Sequence, residues 1–446
     1  MRRFRIPRSV IAAFTALCLY PAGTGAHAAP RQSAQSAVTP DADAAIALAI
    51  KDEAGGALKH FYRDRAYRPL WVKNGRIGPE AGKLIGFLST ADLDGLKPSS
   101  YHPDELAEAI AKAQSGDPEA VARAELKLSA AFAKYVRDQR KPPDDTRITY
   151  ADRKLKPKKL KPEEVLRAAA FPKSFTDYID DMEWMSDEYV RLRNLLARAV
   201  AQHLPDQEIG RLALNMDRAR VLPGPWTRHI VVDASSGRLW YYEAGKQVGT
   251  MKVVVGAKAT QTPMLVGAIQ WAIVNPYWYV PGYLARDSIA KKVLGGRSLK
   301  MMHIQALTGW GPDAQLIPNS AIDWHAVASG QQTIWLRQLP GPFNSMGRVK
   351  FVFPNEDGIY LHDTPERELL AKDDRHFSNG CIRLDNAAKL GRWLLGEAVP
   401  RADGKPEQAI PLPVPVPVYL TYITATETKG EVAFRPDIYG RDTRTG

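Results

Sequence analysis

The sequence predicts an α+β protein in which an α-helical N-terminal domain, 44–222, precedes a mainly β domain, 226–440. The first observation is helical periodicity, since apolar residues recur three or four positions apart over long stretches of the first half. The second is a change of pattern after Pro223 and Gly224, where runs rich in Val and Ile are bounded by Gly and Pro. With 446 residues, 45% of them apolar, the chain is long enough for two hydrophobic cores.

The first 28 residues have the pattern of a secretory signal peptide. Four arginines accompany an apolar run over 10–20, and Ala26, His27 and Ala28 form a small-x-small cleavage site. Because the apolar run is too short for a permanent anchor, we expect no integral membrane segment after its removal. Residues 29–43 are rich in Ala, Gln, Ser and Pro, which predicts a disordered linker.

The net charge constrains the class of partner. Removal of the signal peptide takes away four arginines and no acidic residue, so the formal charge falls from +12 to about +8. A basic exported protein favours an anionic partner such as cell-wall polymer or a membrane surface. The sequence contains no nucleic-acid-binding motif, which argues against a nucleic-acid partner.

Helices and strands can be assigned in order along the two domains. Helices are predicted over 104–110, from Pro118 onward, and over 186–201. Strands are predicted over 228–240, 246–255, 269–276, 333–336, 349–354, 359–362 and 416–424. A long insertion inside a β domain commonly covers a site, so we expect 283–330 to be a helical lid.

The most informative residue is Cys381. The other cysteine, Cys18, is lost with the signal peptide, which leaves a single thiol in an exported chain. His362 lies 19 positions upstream, at the end of a predicted strand, where it can act as a general base. A thiol attacks as the thiolate, so we expect the pKa of Cys381 to be lowered and its labelling by thiol reagents to be fast.

The residues before the cysteine suit a tight catalytic turn. Gly380 permits the turn, Ser378 is expected to brace it by a local hydrogen bond, and amides around Asn379, Gly380 and Cys381 can stabilise an oxyanion. His376 is a rival base, five residues before the cysteine, although we favour His362. We predict no metal site and no cofactor, because the thiol has no second cysteine or ligand-spaced His and Asp residues beside it.

The stretch from His362 through Ser378, Asn379, Gly380, Cys381, Ile382 and Arg383 resembles the signature of the L,D-transpeptidases, the YkuD-fold enzymes that remodel bacterial peptidoglycan. Segments 61–75, 275–281 and 337–355 resemble the larger periplasmic members of that family. The resemblance therefore implies an N-terminal scaffold domain, a YkuD-like catalytic domain and a capping subdomain, in a periplasmic protein.

The resemblance also implies a reaction. The thiolate of Cys381 would attack the bond between diaminopimelate and D-Ala in a tetrapeptide stem, release D-Ala and pass the acyl group to an amine of a second stem. The resulting link joins two diaminopimelate residues. Substrate binding would fall to Arg383, His376, Trp278 and Asn344. The family also implies that carbapenems acylate the cysteine.

The sequence departs from the family pattern at two points, and two alternative functions remain open. The family commonly has His where this chain has Asn379, so His376 is a candidate substitute. The peptidoglycan-binding repeat of larger members is not recognisable between Tyr189 and Asn215. The same acyl-enzyme would serve to anchor an outer-membrane protein to peptidoglycan or to hydrolyse the stem. A wall-binding scaffold without activity is the non-enzymatic alternative.

Overall fold

The computed structural model describes residues 40–142, 147–311 and 313–443. The predicted signal peptide, 1–28, and most of the predicted linker lie outside these residues. Helix α1 begins at Pro40, inside the 29–43 segment, so the end of that segment is helical rather than disordered. No helix in the described residues is long and apolar enough to cross a membrane.

The described residues form two compact units, the first comprising 40–141 and 159–184 and the second 142, 147–158 and 185–443. The helices of the first unit are α1 Pro40–Glu53, α2 Lys59–Asp64, α3 Glu80–Ser89, α4 Pro103–Ala113, α5 Pro118–Gln139, α6 Pro162–Ala170 and α7 Phe175–Asp180, and its short hairpin is β1 Val72–Lys73 with β2 Arg76–Ile77. Asp117 caps α5 by accepting a hydrogen bond from Ala120 N at 2.8 Å.

The first unit is organised around α5, the longest of its helices. Glu125 of α5 is fully buried and accepts hydrogen bonds from Tyr62 Oη at 2.6 Å, Leu70 N at 2.6 Å and Trp71 N at 2.9 Å. Burial raises the pKa of this carboxyl, and the three donors compensate for its removal from water. These bonds join α2 and the segment leading into β1 to the central helix.

The second unit contains the remaining elements. Its strands are β3 Thr149–Tyr150, β4 His229–Asp233, β5 Arg238–Glu243, β6 Lys246–Gly256, β7 Leu265–Val274, β8 Trp278–Val280, β9 Ile304–Leu307, β10 Leu316–Ile317, β11 Trp335–Gln338, β12 Val349–Val352, β13 Leu361–His362, β14 His376–Ser378, β15 Ile382–Leu384, β16 Gln408–Thr421, β17 Ala425–Thr428 and β18 Glu431–Phe434. Its helices are α8 Asp187–Ala201, α9 Asp206–Ala219, α10 Gly282–Leu284, α11 Lys291–Leu294, α12 Trp324–Ser329, α13 Glu368–Ala371 and α14 Ala387–Leu395.

Helices α8 and α9 pack within the β-rich unit, although the sequence placed them in a helical domain ending at 222. Their side chains hold the chain that follows β16. Arg191 donates to Ala425 O at 2.9 Å, Arg218 donates to Tyr422 O at 2.9 Å, and Asn215 Oδ1 accepts from Thr424 N at 2.7 Å. These contacts join residues more than 200 positions apart, which helical periodicity cannot reveal.

Eight strands of the second unit close into a ring. The order is β12-β13-β15-β6-β5-β4-β16-β7, and β7 pairs in turn with β12. Pairing is antiparallel except between β13 and β15 and between β16 and β4. The ring encloses a core of aliphatic and aromatic side chains, and α14 packs against it. Strands β14 and β3 add to β6 and β7.

The predicted helical lid is an α+β subdomain and is longer than the 283–330 insertion. Strands β10, β9, β11 and β8 form a second sheet in that order, which extends the subdomain to 278–338. A π-helical turn, Ala285–Ala290, links α10 to α11. Strands of two to four residues are too short to show alternation in sequence, so of the four only β11 was anticipated, by the strand predicted over 333–336. We call residues 278–338 the capping subdomain.

Candidate functional site

Cys381 lies in a turn between β14 and β15. Ser378 closes this turn, because its Oγ donates to Cys381 O at 2.5 Å and accepts from Gly380 N at 3.2 Å. Gly380 has φ +107°, and a Cβ at that position would lie 3.1 Å from Ile359 Cδ1. The positive φ is the reason that glycine is favoured before the cysteine, and the close approach to Ile359 leaves little space for a side chain. The Gly380 amide is already bonded to Ser378, so it is not free to stabilise an oxyanion.

The thiol of Cys381 is half-buried and contacts the end of the neighbouring strand. Its Sγ accepts from Tyr360 N at 3.4 Å and donates to Gly358 O at 3.6 Å. Burial raises the pKa of this thiol to about 11, against the smaller lowering effects of the Tyr360 amide and the Arg383 charge. The expectation of a lowered pKa is therefore wrong for the protein without substrate.

His362 shares a face of the sheet with the cysteine. Strands β13 and β15 are parallel, with Leu361 opposite Ile382, and both of these side chains are fully buried in the core. Because side chains alternate along a strand, His362 lies on the opposite face, and Cys381, the residue immediately before β15, is expected on that face as well. The two functional groups, 19 positions apart in sequence, are thus brought to one surface of adjacent strands.

The imidazole of His362 is held as a neutral base. Its Nδ1 donates to Asp363 O at 2.6 Å, since a carbonyl can only accept, and Nε2 is left as the basic nitrogen. The side chain is 2% exposed. Burial lowers the pKa of His362 to about 3, and the charges of Arg383 and Lys350 act in the same direction. The site without substrate therefore contains a neutral thiol and a neutral imidazole.

Two cations flank His362 in adjacent strands. In the strand register, Lys350 of β12 lies opposite His362 on one side and Arg383 of β15 lies opposite it on the other. Arg383 is ion-paired with Glu366, while Lys350 Nζ lies 3.1 Å from Glu407 Oε1. The sequence analysis identified Arg383 but missed Lys350, because only the register of β12 reveals that it lies beside the histidine.

Tyr283 of the capping subdomain lies close to the thiol. Burial raises the pKa of Tyr283, and the charge that Cys381 carries in its thiolate form raises it further. The same two causes, in the same order, raise the pKa of Tyr360. Both phenols were missed by sequence analysis, since an isolated tyrosine carries no signal of its neighbours.

Two predicted substrate-binding residues, Asn344 and Trp278, make contacts within the protein. Asn344 is fully buried, and its Nδ2 donates to the carbonyls of Leu339 at 2.9 Å and Pro276 at 3.1 Å, while its Oδ1 accepts from Met346 N at 2.7 Å. Its polar atoms are used in stabilising the loop, and its role in substrate binding stays a prediction. Trp278, in β8, packs against the core of the capping subdomain.

His376 and Asn379 have different surroundings. His376 Nδ1 lies 2.6 Å from Asp374 Oδ1, and the ring packs edge-on against Tyr439 with centroids 5.4 Å apart. Neither contact connects His376 with Cys381. Asn379 is exposed at the tip of the turn. Within the described residues, no cluster of three or more His, Cys, Asp or Glu side chains is arranged to hold a metal ion.

Comparison with known families matches both halves of the chain. The Scaffold domain family matches residues 56–196, and the family of the L,D-transpeptidase catalytic domain, YkuD, matches residues 227–416. The second match contains the eight-strand ring up to β16, the capping subdomain, His362 and Cys381.

Similar proteins were found among curated sequences and solved structures. A Haemophilus influenzae protein named as a candidate L,D-transpeptidase is 26% identical over 395 residues, which cover 86% of this chain and 78% of that protein. The solved Ldtfm–avibactam carbamoyl enzyme is 13% identical, covering 46% of this chain and 51% of its own, with a TM-score of 0.22. An L,D-transpeptidase from Mycobacterium smegmatis is also 13% identical, covering 44% and 58%, with a TM-score of 0.21.

The chain thus spans between half and three fifths of the two solved structures. Because their TM-scores are low, nothing about this protein is inferred from them. The two domain matches identify the parts of the chain, and the similarity to the Haemophilus protein extends over most of both proteins. The chain therefore contains a Scaffold domain followed by a YkuD domain, the L,D-transpeptidase catalytic domain.

Proposed function

We propose that the protein is a peptidoglycan L,D-transpeptidase in which Cys381 is the nucleophile and His362 the general base. The observation that carries the proposal is the placement of a thiol, in a turn braced by Ser378, on the same sheet face as a neutral imidazole. A nucleophile and a base on adjacent strands are the minimal machinery for covalent acyl transfer.

The first step is acylation by a tetrapeptide stem. Cys381 Sγ attacks the carbonyl between diaminopimelate and D-Ala, and the thiol proton moves to Nε2 of His362. The carbon–nitrogen bond then breaks, and the same proton passes to the amine of the departing D-Ala. Since the pKa of the thiol is high, we infer that proton transfer accompanies attack rather than preceding it.

The second step transfers the acyl group to an amine. The neutral side-chain amine of a second stem attacks the thioester, and its proton passes through His362 back to the sulfur as the carbon–sulfur bond breaks. The product is a link between two diaminopimelate residues. Because the Gly380 amide is engaged, the amides of Asn379 and Cys381 are the better candidates for stabilising the oxyanion in both steps.

Substrate contacts are proposed for Arg383 and the capping subdomain. A guanidinium can bind both oxygens of a carboxylate, so a substrate carboxylate would replace Glu366 on Arg383. Tyr283 would cover the thiol from the capping subdomain and limit the access of water, which favours transfer to an amine over hydrolysis. The predicted signal peptide and the basic charge of the chain support a periplasmic location against an anionic wall.

The test is product analysis by mass spectrometry after incubation of the chain from Ala29 onward with purified disaccharide-tetrapeptide. The control is Cys381→Ala. A dimer that has lost one D-Ala, absent from the control, would support the proposal. Tripeptide monomer alone would instead indicate hydrolysis, and an acyl-enzyme that is resolved only by an added outer-membrane protein would indicate anchoring. Identical products from the control would exclude Cys381 as nucleophile.

A further inference from the structure

His362 lies in the middle of a row of three side chains that crosses the sheet. Lys350 of β12 lies opposite it in antiparallel register, and Arg383 of β15 lies opposite it in parallel register. Residues opposite each other in adjacent strands point to the same face, with Cβ atoms about 5 Å apart. An imidazole that takes up a proton here becomes a third cation between two others. The counter-charges of those two cations therefore determine how unfavourable the imidazolium is.

The counter-charge of Lys350 is the carboxylate of Glu407. Lys350 is buried, and its Nζ lies 3.1 Å from Glu407 Oε1 and 3.4 Å from Glu407 Oε2. The same nitrogen donates to Tyr277 O at 3.4 Å and lies 5.3 and 5.9 Å from the ring centres of Tyr279 and Tyr360. A buried ammonium group is tolerated when a nearby negative charge compensates for its removal from water. Glu407 supplies that charge.

Glu407 is held in a backbone conformation that a glutamate rarely adopts. It directly precedes β16, and its φ is +54°. Its amide donates to Asn275 O at 3.0 Å, and its Oε1 accepts from Tyr277 N at 2.6 Å. A positive φ in a residue other than glycine is kept only where the surrounding contacts hold it, and such positions cluster at functional sites. Backbone and side-chain contacts together thus fix the carboxylate beside Lys350.

The two cations beside His362 differ in how firmly their partners are held. Glu366, which pairs with Arg383, has a side chain that is 49% exposed, whereas the side chain of Glu407 is 28% exposed. An exposed ion pair contributes little, so Glu366 is readily replaced by a substrate carboxylate, as proposed above. Glu407 is instead a permanent counter-charge on the other side of the imidazole.

We propose that Glu407 is a positioning residue for the reaction and that, by neutralising Lys350, it lets His362 accept the thiol proton. The inference rests on the proposed function in taking His362 as the base. The proton leaves Cys381 Sγ, resides on His362 Nε2 and passes to the leaving group, while Glu407 exchanges no proton. Glu407 therefore acts through Lys350 and stabilises the imidazolium that forms during attack.

A purely structural ion pair and this charge role differ in the sign of their effects. Breaking a structural contact from either side would harm the site in the same direction. In the charge role, Glu407→Gln leaves an unbalanced positive charge and Lys350→Met leaves an unbalanced negative charge, so their effects on the imidazolium should be opposite. The double variant Lys350→Met/Glu407→Gln carries neither charge and is the reference for both.

The experiment is stopped-flow acylation of the full mature chain by p-nitrophenyl acetate. Cys381 takes up the acetyl group as a thioester, nitrophenolate leaves as the anion, and the thiol proton passes through His362 to the solvent. The burst of nitrophenolate absorbance gives the acylation rate. Glu407→Gln should react at least about fivefold more slowly than the double variant, whereas Lys350→Met should react no more slowly than the double variant.

Two controls accompany these variants. Cys381→Ala should show no burst, which assigns the signal to the thiol. Glu427→Gln removes the charge of another ion-paired glutamate of the second unit, 2.8 Å from Arg198, and should react at the wild-type rate. Glutamine keeps an oxygen that can accept from Tyr277 N, so Glu407→Gln tests the charge rather than the hydrogen bond.

The pH midpoint for alkylation of Cys381 provides a readout that a structural role would not move in two directions. An unbalanced positive charge favours the thiolate, so the midpoint should be lower in Glu407→Gln and higher in Lys350→Met than in the double variant. The other titratable groups that act on the thiol and the imidazole are the same in all variants. They are Arg383 with its partner Glu366, and the phenols of Tyr283 and Tyr360.

The outcomes are distinguishable from those of the proposed function. Equal acylation rates in Glu407→Gln and the double variant, or slower acylation in both single variants, would overturn the role of Glu407. Midpoints that shift in the same direction in both single variants would do so as well. The small ester requires no peptidoglycan, so opposite shifts would support the role of Glu407 even if the wild-type chain made no cross-links from disaccharide-tetrapeptide. In that case the proposed substrate would be refuted.

Discussion

The reactivity of Cys381 towards a small alkylating reagent gives a quantitative test of the site without substrate. The pKa of the thiol is raised from its ordinary 9.0 to about 11 by burial. At pH 8 a rise of two units leaves about 100-fold less thiolate. Each thiolate becomes more nucleophilic as its pKa rises, by about tenfold over two units. We therefore expect native Cys381 to be labelled about tenfold more slowly than an ordinary thiol.

The assay is iodoacetamide labelling followed by intact-mass measurement, from about pH 7 to pH 11. The chain unfolded in guanidinium chloride is the reference, since it contains the same single thiol after loss of the signal peptide. The native rate should keep rising towards the upper end of the range, whereas the unfolded rate should level off earlier. Arg383→Gln should move the native midpoint still higher, because the Arg383 charge lowers the pKa of the thiol.

A native midpoint at or below that of the unfolded chain would refute this reasoning. It would mean that the thiolate is stabilised before substrate binds, as the sequence alone suggested. Attack would then start from a preformed ion pair with His362, and the neutral pair described above would be incorrect.

Three further predictions follow from single positions. Gly380→Ala should lower the free energy of unfolding by about 1–3 kcal/mol and reduce kcat at least about tenfold, because φ is +107° and Ile359 is adjacent. Denaturation and steady-state kinetics measure the two effects, and wild-type values would contradict the prediction. Asn344→Ala should lower the free energy of unfolding by about 1–3 kcal/mol without raising KM, because its side chain stabilises the loop. A raised KM with unchanged stability would contradict this and support a substrate role. Burial lowers the pKa of His362 from 6.5 to about 3, so the unfolded chain binds a proton that the folded chain does not, and stability should fall between about pH 6.5 and 3. His362→Gln should lose less stability over that window in urea denaturation, and an equal loss would contradict the assigned cause.

Local signals predicted much of the element order. The start of α5 at Pro118 and the Val- and Ile-rich runs of β4, β6 and β7 are set by residues close in sequence, so local patterns were sufficient to predict them. The closure of the ring could not be predicted from local patterns, because β7 pairs with β12 through residues far apart in sequence, such as Val274 and Val349. Long-range pairing of this kind leaves no local pattern.

The site shows the same division. Cys381, Gly380 and His362 were predicted as site residues because a lone thiol after glycine with an upstream histidine is a strong pattern. Lys350 and Tyr283 were missed, since the first depends on strand register and the second on the position of the capping subdomain. The pKa of the thiol was predicted in the wrong direction because burial, which decides it, is invisible in sequence.

The most direct test of the central claim is the mass of the acyl-enzyme. The mature chain is mixed with disaccharide-tetrapeptide, quenched in acid within seconds, and analysed intact and after proteolysis. We predict an adduct equal to the stem minus D-Ala, attached through a thioester at Cys381, which disappears in Cys381→Ala and accumulates less in His362→Ala. An adduct on another residue, or cross-linked product formed without any adduct on Cys381, would contradict the account.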